Sequence, residues 1–355
     1  MSDTKKQLHI VHLSYTVPRP AYTDPDEWLQ RVKFINGVPE ALARYAKQTV
    51  IYNIGYKGEI TRNGVTYLFP AFKQRQLYFP LAFNRFIRKL KPDVVIVHGL
   101  IFPMQIIMLR NIMGSSLKII CQHHAERPFK DIRKYLSRWA DWYIGAYLFA
   151  SHEQAAYWAP FDKVYPVIGA SSHFRATNKK HGSTYLWVGD LNHNKNPLRV
   201  ARAFVRFANE HADAVLYMIY PSNELEKELK EIVAGTTAVQ LIGKVEHSQM
   251  ENWFNKADYI ISSSFYEGSG IAVCEALSCG CIPVVSNIPS FFTMTNSGRL
   301  GTMFSPNDEE TLDDALEKSY YLDRKRESRK ALEFFQAELS FEANARKIME
   351  VIHKI

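Results

Sequence analysis

Residues 262–287 hold the stretch that decides the fold, SSSFYEGSGIAVCEALSCGCIPVVSN. The apolar residues 259–261 that precede it predict a buried strand. A glycine-rich turn over 268–270 follows, and helical spacing then predicts a short helix over 271–278 that is ended by Gly280. Such a loop directs backbone N–H groups and the positive end of the helix dipole toward one point. The stretch therefore predicts an α/β unit with a phosphate site at the carboxyl end of its strand.

Two carboxylates flank this turn. Glu267 stands directly before it, and Glu275 follows one to two turns into the predicted helix. Glu267 is placed to contact the other substituents of a bound anion. Glu275 is too far along the helix to cap it, but it can accept hydrogen bonds from a pair of hydroxyls such as a ribose offers. The alternative is a solvated helix face with a cap, which explains the glycines but not the apolar residues around Glu275.

The pair Glu267 and Glu275, followed by a small-residue helix and by Pro283-Val284-Val285, resembles the signature of retaining glycosyltransferases of the GT-B fold, specifically the GT4 group. The resemblance implies an α/β fold with two doubly wound Rossmann-like domains facing a cleft. It also implies that the second domain binds a nucleotide-diphospho-sugar and the first binds the acceptor. We expect no metal and no cofactor besides this donor, and we favour a UDP-sugar over a GDP-sugar.

The length of 355 residues and the pattern along the chain predict two domains. Apolar strands alternate with helical segments in two sets, which is typical of parallel doubly wound sheets. The predicted strands cover residues 8–13, 49–54, 65–69, 94–97, 119–121 and 142–146 in the first set, and 184–188, 214–219, 238–242, 259–262, 281–285 and 301–304 in the second. A helix is expected to begin near Pro39. We expect an N-terminal domain over 1–167, a linker over 168–183, a C-terminal domain over 184–338 and, as the resemblance implies, a helix over 339–355 that crosses back to the first domain.

The second domain supplies the other donor-binding residues that the resemblance implies. Lys195 matches the lysine that contacts the donor diphosphate, whereas Asp190 stands where the family usually has arginine. Another cation then substitutes, with Arg199 and Arg202 as candidates, or the loop is arranged differently. The complete set of implied donor-binding residues is Gly189, Lys195, Gly243, Lys244, Val245, Glu267, Gly268, Ser269, Gly270, Ile271 and Glu275. Of these, Lys195 and Glu267 are expected to be catalytic.

Histidines mark the corresponding place in the first domain. His123 and His124 follow the predicted strand 119–121, and ligands of doubly wound sheets lie at such strand ends. The resemblance implies that His124 is catalytic and bonds the transferred sugar, with His123 as the adjacent alternative. His98 also ends a strand and lines the acceptor side or has a structural role. Tyr15 lies in the loop 14–30, which lacks the family's usual Gly-Gly pair and so leaves the acceptor unidentified.

Composition restricts the location and the partners. The N-terminus predicts a first strand rather than a signal peptide, and four cysteines without metal spacing predict reduced core thiols in a cytoplasm. The net charge is +8, and residues 73–91 form a basic segment whose apolar spacing is helical from Leu81 onward. This helix either contacts an anionic membrane at its inner face or packs its apolar side on a sheet. No motif accompanies the charge that would favour nucleic acid.

These observations together predict a glycosyltransferase of the hexosyltransferase type. It would move a sugar with retention of configuration to a glycan or lipid-linked acceptor, in cell-surface polysaccharide or glycoconjugate synthesis. The alternative is a non-catalytic nucleotide-sugar-binding protein of the same fold, which Asp190 favours. A dinucleotide oxidoreductase is a weak rival, because no G-x-G-x-x-G follows the first strand and no acidic residue lies about 20 residues beyond one.

Overall fold

The computed structural model describes residues 7–158, 162–177, 182–308 and 310–355. The chain forms two compact units, one of Met1–Gly169 with Phe341–Ile355 and the other of Ala170–Ser340. Most of the segment 168–183, expected as a linker, thus belongs to the second unit, although its residues 178–181 lie outside the described part. The expected crossing helix is found in the first unit.

An eight-stranded sheet forms the centre of the N-terminal unit. Its strands are β1 His9–Leu13, β2 Lys47–Ile51, β3 Gly58–Arg62, β4 Val65–Phe69, β5 Val94–His98, β6 Lys118–Gln122, β7 Ala146–Phe149 and β8 Val164–Pro166. The order is β3-β4-β2-β1-β5-β6-β7-β8, and every pairing is parallel except that of the edge strand β3 with β4. Loops at the carboxyl ends of β2, β1, β5 and β6 are therefore neighbours in space.

Helices cover both faces of this sheet. They are α1 Pro25–Arg31, α2 Lys33–Leu42, α3 Gln74–Tyr78, α4 Leu81–Leu90, α5 Pro103–Met113, α6 Arg133–Asp141, α7 His152–Ala156 and the last helix of the chain, α15 Phe341–Lys354. Alternate residues of a strand face opposite sides. Val95 accordingly packs in the cluster that contains Phe83 of α4, whereas Ile96 packs with Ile348 of α15. The expected helix start near Pro39 is wrong, because α2 begins six residues earlier and holds Pro39 inside it.

The basic segment of the sequence forms α3 and α4, and the apolar side of α4 packs on the core. Phe83 and Ile87 are fully buried in the core, and Phe86 and Leu90 pack against it. The exposed side carries the basic residues, which are Arg85, Arg88 and Lys89. Of the two expectations for this helix, packing on the sheet is the one that the structure supports.

The C-terminal unit is built on six parallel strands. These are β9 Thr184–Val188, β10 Val215–Ile219, β11 Val239–Gly243, β12 Tyr259–Ser262, β13 Ile282–Ser286 and β14 Thr302–Phe304, in the order β11-β10-β9-β12-β13-β14. The helices around them are α8 Pro197–Glu210, α9 Glu226–Ile232, α10 His247–Lys256, α11 Ile271–Ser278, α12 Pro289–Met294, α13 Glu310–Tyr320 and α14 Arg324–Phe334. A 3₁₀ turn over His193–Lys195 precedes α8, and a π-helical turn over Phe335–Leu339 follows α14. Since β9 and β12 pair directly, the loops that follow them lie side by side.

The α/β prediction with two doubly wound domains is confirmed. One strand was placed wrongly, because β7 begins at Ala146, where the predicted strand 142–146 ends, and Trp142 follows the end of α6 as an exposed residue. The four cysteines are buried and form no disulfide. None of the helices within the described ranges has both the length and the apolar character required to cross a bilayer.

Candidate active site

The glycine-rich loop between β12 and α11 adopts a conformation that requires Gly270. This residue has φ +57° and directly precedes α11. A Cβ added to it would lie 2.5 Å from Cε1 of the buried Phe291 ring. Among the residues that the structure describes, no side chain caps α11, so the N–H groups of its first turn point out of the helix end. That end has the polarity and the donors that suit an anion.

Lys195 and Glu267 meet next to this loop, although 72 residues separate them in sequence. The Lys195 Nζ atom donates to Glu267 Oε1, which also accepts a hydrogen bond of 2.6 Å from the Ser264 hydroxyl. The side chains are 27% and 13% exposed, so the pair is partly shielded from water. The prediction from sequence assigned both residues to one donor site, and the structure places them in contact.

Hydrogen bonds between the loops after β9 and β12 produce this contact. The Phe265 N–H donates to the Asn194 carbonyl at 2.9 Å, and the Asn194 side-chain amide donates to the Tyr266 carbonyl at 2.9 Å. The Ser263 hydroxyl donates to the Lys195 carbonyl at 2.7 Å. Each bond ties one loop to the other, so the backbone around Lys195 is fixed relative to Glu267.

Asp190 and the two candidate arginines of α8 differ in their exposure and in their contacts. Asp190 is exposed. Arg199 is buried, and its guanidinium donates to backbone carbonyls after β14, at 2.9 Å to Ser305 and to Pro306. Arg199 therefore stabilises that loop, and the expectation that it is the replacement cation for the diphosphate is wrong. Arg202 is exposed on α8.

Gly189 and the residues after β11 complete the predicted donor set. A Cβ at Gly189 would lie 3.3 Å from the Trp187 ring and 3.5 Å from Lys195 Cδ, so Gly189 is next to the lysine stem. Gly243 ends β11 with φ +76° and accepts a backbone hydrogen bond of 3.0 Å from Tyr220. Lys244 is exposed and lies 3.3 Å from Glu246.

Glu275 has a partner that the sequence did not indicate. Its carboxylate is buried on α11, and Oε1 lies 2.8 Å from Nε2 of His247, the first residue of α10. The His247 ring is exposed and lies against Phe174, with 5.2 Å between centroids. The sequence could not predict this contact between an exposed histidine and a buried carboxylate, because the contact depends on the packing of α10 on α11.

In the N-terminal unit, three histidines and a glutamine form a hydrogen-bonded row across the sheet. His124 Nε2 lies 2.9 Å from His98 Nδ1, and His98 Nε2 lies 3.1 Å from His12 Nδ1. His12 Nε2 lies 3.1 Å from Gln48 Oε1. The row follows the strand order β2-β1-β5-β6. His12 and Gln48 were missed in the sequence, where they are only polar residues in apolar strands.

Burial keeps this row uncharged. It lowers the pKa of His12 to about 4, against the opposing effect of the hydrogen bond to Gln48. It also lowers the pKa of His98 well below the usual value, and the neighbouring histidines add to that shift. Burial lowers the pKa of His124 as well, while the Glu126 carboxylate opposes the shift. All three imidazoles are therefore neutral near pH 7.

A pocket of about 400 Å³ lies beside the row at the carboxyl ends of β1, β2 and β5. His12, His98 and His124 line it together with Glu126 and with apolar residues of α1 and α2. The Trp28 ring also lines it and packs against Tyr22 and Tyr52, at 5.0 and 5.6 Å between centroids.

Two acceptor-side predictions are wrong, because their side chains belong to the core. Tyr15 is buried beside Phe83, and its hydroxyl donates to Asn84 at 3.0 Å. His123 is buried, stacks on Phe149 with 4.8 Å between centroids, and has Nε2 3.1 Å from the Glu126 carbonyl. Neither lines the pocket. Adjacent residues of an extended segment point in opposite directions, which is why His124 faces the row while His123 does not.

Comparison with known proteins identifies the C-terminal unit. Residues 171–333 match the family model of glycosyl transferases group 1. Over 95 residues, the chain is 28% identical to a GDP-mannose:cellobiosyl-diphosphopolyprenol alpha-mannosyltransferase from Xanthomonas oryzae pv. oryzae. That match covers 26% of this chain and only 25% of the relative. The resemblance to group 1 glycosyltransferases that the sequence shows is therefore confirmed for residues 171–333.

Solved structures show the same fold over the whole chain. A glycosyltransferase from Rickettsia africae superposes with a TM-score of 0.72 at 14% identity, covering 98% of each chain. Sucrose-phosphate synthase from Thermosynechococcus elongatus gives 0.70 at 14% identity, covering 98% of this chain and 99% of that one. A pneumococcal O-GlcNAc transferase, solved with UDP and GlcNAc, gives 0.59 at 12% identity, covering 80% and 60%. At such identities the likeness establishes the GT-B fold.

Proposed function

Because residues 171–333 of the C-terminal unit match the group 1 glycosyltransferases, we propose that the protein is a retaining hexosyltransferase that uses a nucleotide-diphospho-sugar. One observation carries the proposal. Lys195 and Glu267 are in contact beside the uncapped start of α11, so a cation, a carboxylate and a helix N-terminus share one small region. A diphosphate needs the cation and the amides, and a sugar hydroxyl needs the carboxylate.

Each residue has a chemical task in this reaction. When the bond between sugar and diphosphate breaks, negative charge develops on the leaving phosphate, and the Lys195 ammonium and the first-turn amides of α11 stabilise it. Glu267 accepts hydrogen bonds from the donor sugar, and Glu275 from the ribose. We assign His124 to the transferred sugar, as in the family. With the charge compensated by a fixed lysine and a helix end, we propose that the reaction is independent of metal ions.

The acceptor is proposed to be a glycan or a lipid-linked glycan that binds in the pocket of the N-terminal unit. The Xanthomonas relative is named for a diphosphopolyprenol-linked acceptor, which supports a role in cell-surface polysaccharide or glycoconjugate synthesis. A lipid-linked acceptor would bring a cytoplasmic enzyme to the inner face of the membrane. The same relative is named for GDP-mannose, whereas the pneumococcal neighbour was solved with UDP. We favour a UDP-sugar, and both bases belong in the test.

A non-catalytic sugar-nucleotide-binding protein is the second candidate. Asp190 favours it, since this exposed carboxylate stands where the family has a cation and Arg199 is committed to the carbonyls after β14. Such a protein would bind the donor and release no nucleoside diphosphate. Release of product therefore separates the two candidates.

The decisive experiment measures release of UDP or GDP from a panel of UDP- and GDP-sugars, with glycan and lipid-linked acceptors. We expect release from one class of donor, and NMR of the product should show a retained anomeric configuration. Lys195→Met should lower the rate strongly. The matched control is Lys230→Met, which removes an exposed lysine that is paired with Glu226 on α9 of the same unit. Tight binding without release from any donor would establish the second candidate instead.

The contact between Lys195 and Glu267 gives a further test with effects of opposite sign. In the ligand-free protein Glu267 holds the lysine that the diphosphate needs, so Glu267→Gln should tighten the binding of UDP or GDP alone while it slows sugar transfer. Lys195→Met should weaken the binding of the nucleotide and slow transfer as well. Calorimetry with the nucleoside diphosphate measures both. Weaker nucleotide binding by Glu267→Gln would contradict the assigned roles.

A further inference from the structure

Helix α6 of the N-terminal unit carries a stripe of exposed apolar and aromatic side chains. The stripe consists of Ile132, Tyr135, Trp139 and Trp142, which follow one another at steps of three and four residues and so lie on one side of the helix. Their exposed fractions are 74, 59, 53 and 83%. Soluble proteins rarely leave neighbouring side chains of this size in water unless a partner covers them.

Positive charge surrounds the stripe. Arg133, Lys134 and Arg138 are exposed on α6, and of these Arg133 is paired with Asp131 at 2.7 Å. Two further exposed aromatic residues, Tyr78 and Phe79, lie at the junction of α3 and α4 of the same unit. On α6 itself, exposed aromatic side chains and basic side chains thus occur together.

We propose that this surface, the α6 stripe with its flanking basic residues, docks on an anionic lipid membrane. Tryptophan and tyrosine favour the interface between head groups and acyl chains, and lysine and arginine at its edge attract anionic lipids. A helix with this distribution lies flat in the interface with its aromatic side immersed. The stripe, rather than the buried apolar side of α4, forms the contact. The inference goes beyond sugar transfer, and its test needs no donor or acceptor.

The test is co-sedimentation with vesicles of equal parts phosphatidylcholine and phosphatidylglycerol at low salt, compared with phosphatidylcholine alone. We expect the wild type to bind the mixed vesicles and to release at high salt, since screening weakens the attraction. Trp142→Ser should reduce binding by roughly tenfold, because it removes one large interfacial ring. Arg138→Gln should reduce binding to the mixed vesicles only. Both residues are exposed, so folding is retained.

Tyr321→Ser is the matched control, because it removes a side chain of similar exposure, 73%, from the C-terminal unit. It should bind vesicles like the wild type. An equal loss of vesicle binding by Trp142→Ser and Tyr321→Ser, or a wild type that fails to sediment at low salt, would overturn the proposal. Sedimentation velocity tests the other possible occupant of this surface, which is a second copy of the chain. A dimer that Trp142→Ser converts to monomers would show that a second copy of the chain covers the stripe.

A second inference comes from the row of histidines, where one fixed acceptor determines the positions of all the protons. The Gln48 amide nitrogen donates to the Ala46 carbonyl at 3.1 Å, so its oxygen is the atom that faces His12 Nε2. His12 must then carry its proton on Nε2, and its Nδ1 is an acceptor. By the same reasoning His98 donates from Nε2 to His12, and His124 donates from Nε2 to His98.

We infer that Gln48, His12 and His98 are positioning residues that hold His124 in the tautomer with an unprotonated Nδ1. A neutral His124 of this kind accepts a hydrogen bond at Nδ1 and cannot donate one there. Its ligand is therefore a hydroxyl that donates, as a sugar or an alcohol does. Glu126 is the charged group beside it, and its carboxylate accepts from the His124 backbone N–H at 2.8 Å. The inference concerns the ligand-free protein, so it can be tested separately from the proposed transfer reaction.

Nitrogen-15 NMR of the imidazoles reads the tautomer directly, with His124→Gln to assign the signal. We expect Nε2 of His124 to be protonated at neutral pH. Gln48→Leu should release the row and give mixed tautomers at His124. Thr49→Val is the matched control on the same strand, because it removes a hydrogen bond of 2.9 Å to His9, which lies outside the row. A wild-type His124 protonated on Nδ1, or no change in Gln48→Leu, would overturn the inference.

Discussion

Replacing Gly270 by alanine tests the geometry of the loop before α11. At φ +57° a residue with a Cβ costs about 1–2 kcal/mol. The new Cβ would also lie 2.5 Å from Phe291 Cε1, and the buried ring cannot move aside without disturbing its neighbours. Overpacking of this kind costs a further ~1–3 kcal/mol. We therefore expect Gly270→Ala to lower the free energy of unfolding of the C-terminal unit by ~2–5 kcal/mol.

Gly235→Ala separates the two contributions. Gly235 has φ +83° in the same unit, but a Cβ there would have no atom within 4 Å. Gly235→Ala should therefore lower the free energy of unfolding by about 1–2 kcal/mol through backbone strain alone, without a steric contribution. Both variants also lose the same chain flexibility in the unfolded state, so this effect cancels in the comparison.

Guanidinium unfolding, followed by hydrogen exchange of the β12 and α11 amides, measures the difference. Exchange is needed because two units can unfold separately, and a single transition would not report on this one. Gly270→Ala should be less stable than Gly235→Ala by ~1–3 kcal/mol. Equal losses would refute the close packing of the loop on Phe291. A variant that still folds should also bind nucleoside diphosphate more weakly, because the amides move.

Three further changes test the candidate sites. Glu275→Ala should weaken nucleotide diphosphate binding in calorimetry by ~1.5–3 kcal/mol, as expected for loss of a charged acceptor, and unchanged affinity would refute the ribose assignment. Asp190→Arg should tighten that binding if the loop keeps the family's geometry, because arginine meets phosphate in a bidentate fork; a fluorescence titration would detect it. His12 should make the protein sensitive to acid. The pKa of His12 is about 4 in the folded state and 6.5 in the unfolded state. This difference does not affect stability above pH 6.5, and it lowers the free energy of unfolding by up to ~3 kcal/mol as the pH falls to about 4. Urea midpoints across this range should fall less steeply for His12→Gln, and equal slopes would contradict the assignment.

Most strands could be predicted because buried parallel strands are short apolar runs between turns. β4, β9 and β12 occur at the predicted residues, and most other strands differ by one residue at one or both ends. β2 was predicted at 49–54 but covers Lys47–Ile51, two to three residues earlier. The edge strand β3 was missed because it is polar and exposed, although Asn63-Gly64 after it signalled a hairpin. The strand expected at 142–146 was misplaced because Trp142 and its neighbours have the composition of a strand but end a helix.

The candidate site was predictable where the signal is local. The loop 268–270 and its two carboxylates occupy one continuous segment, so the sequence shows them together, and their roles are predicted by the resemblance to the family's signature. The partners of these residues come from other strands and helices, and only the strand order brings them near. Gln48, His12 and His98 lie on three neighbouring strands, and nothing in their local sequence relates one to another.

The failures at Tyr15 and His123 follow from the same physics. A residue just after a strand can point into the pocket or back into the core, and the sequence does not say which. Tyr15 turns inward because Asn84 offers its hydroxyl a partner inside the core, and His123 does so because the ring stacks on Phe149. His124 is then left on the opposite side, next to His98. His124 therefore lies on the side of the row because its neighbour His123 packs in the core, and no sequence motif predicts that packing.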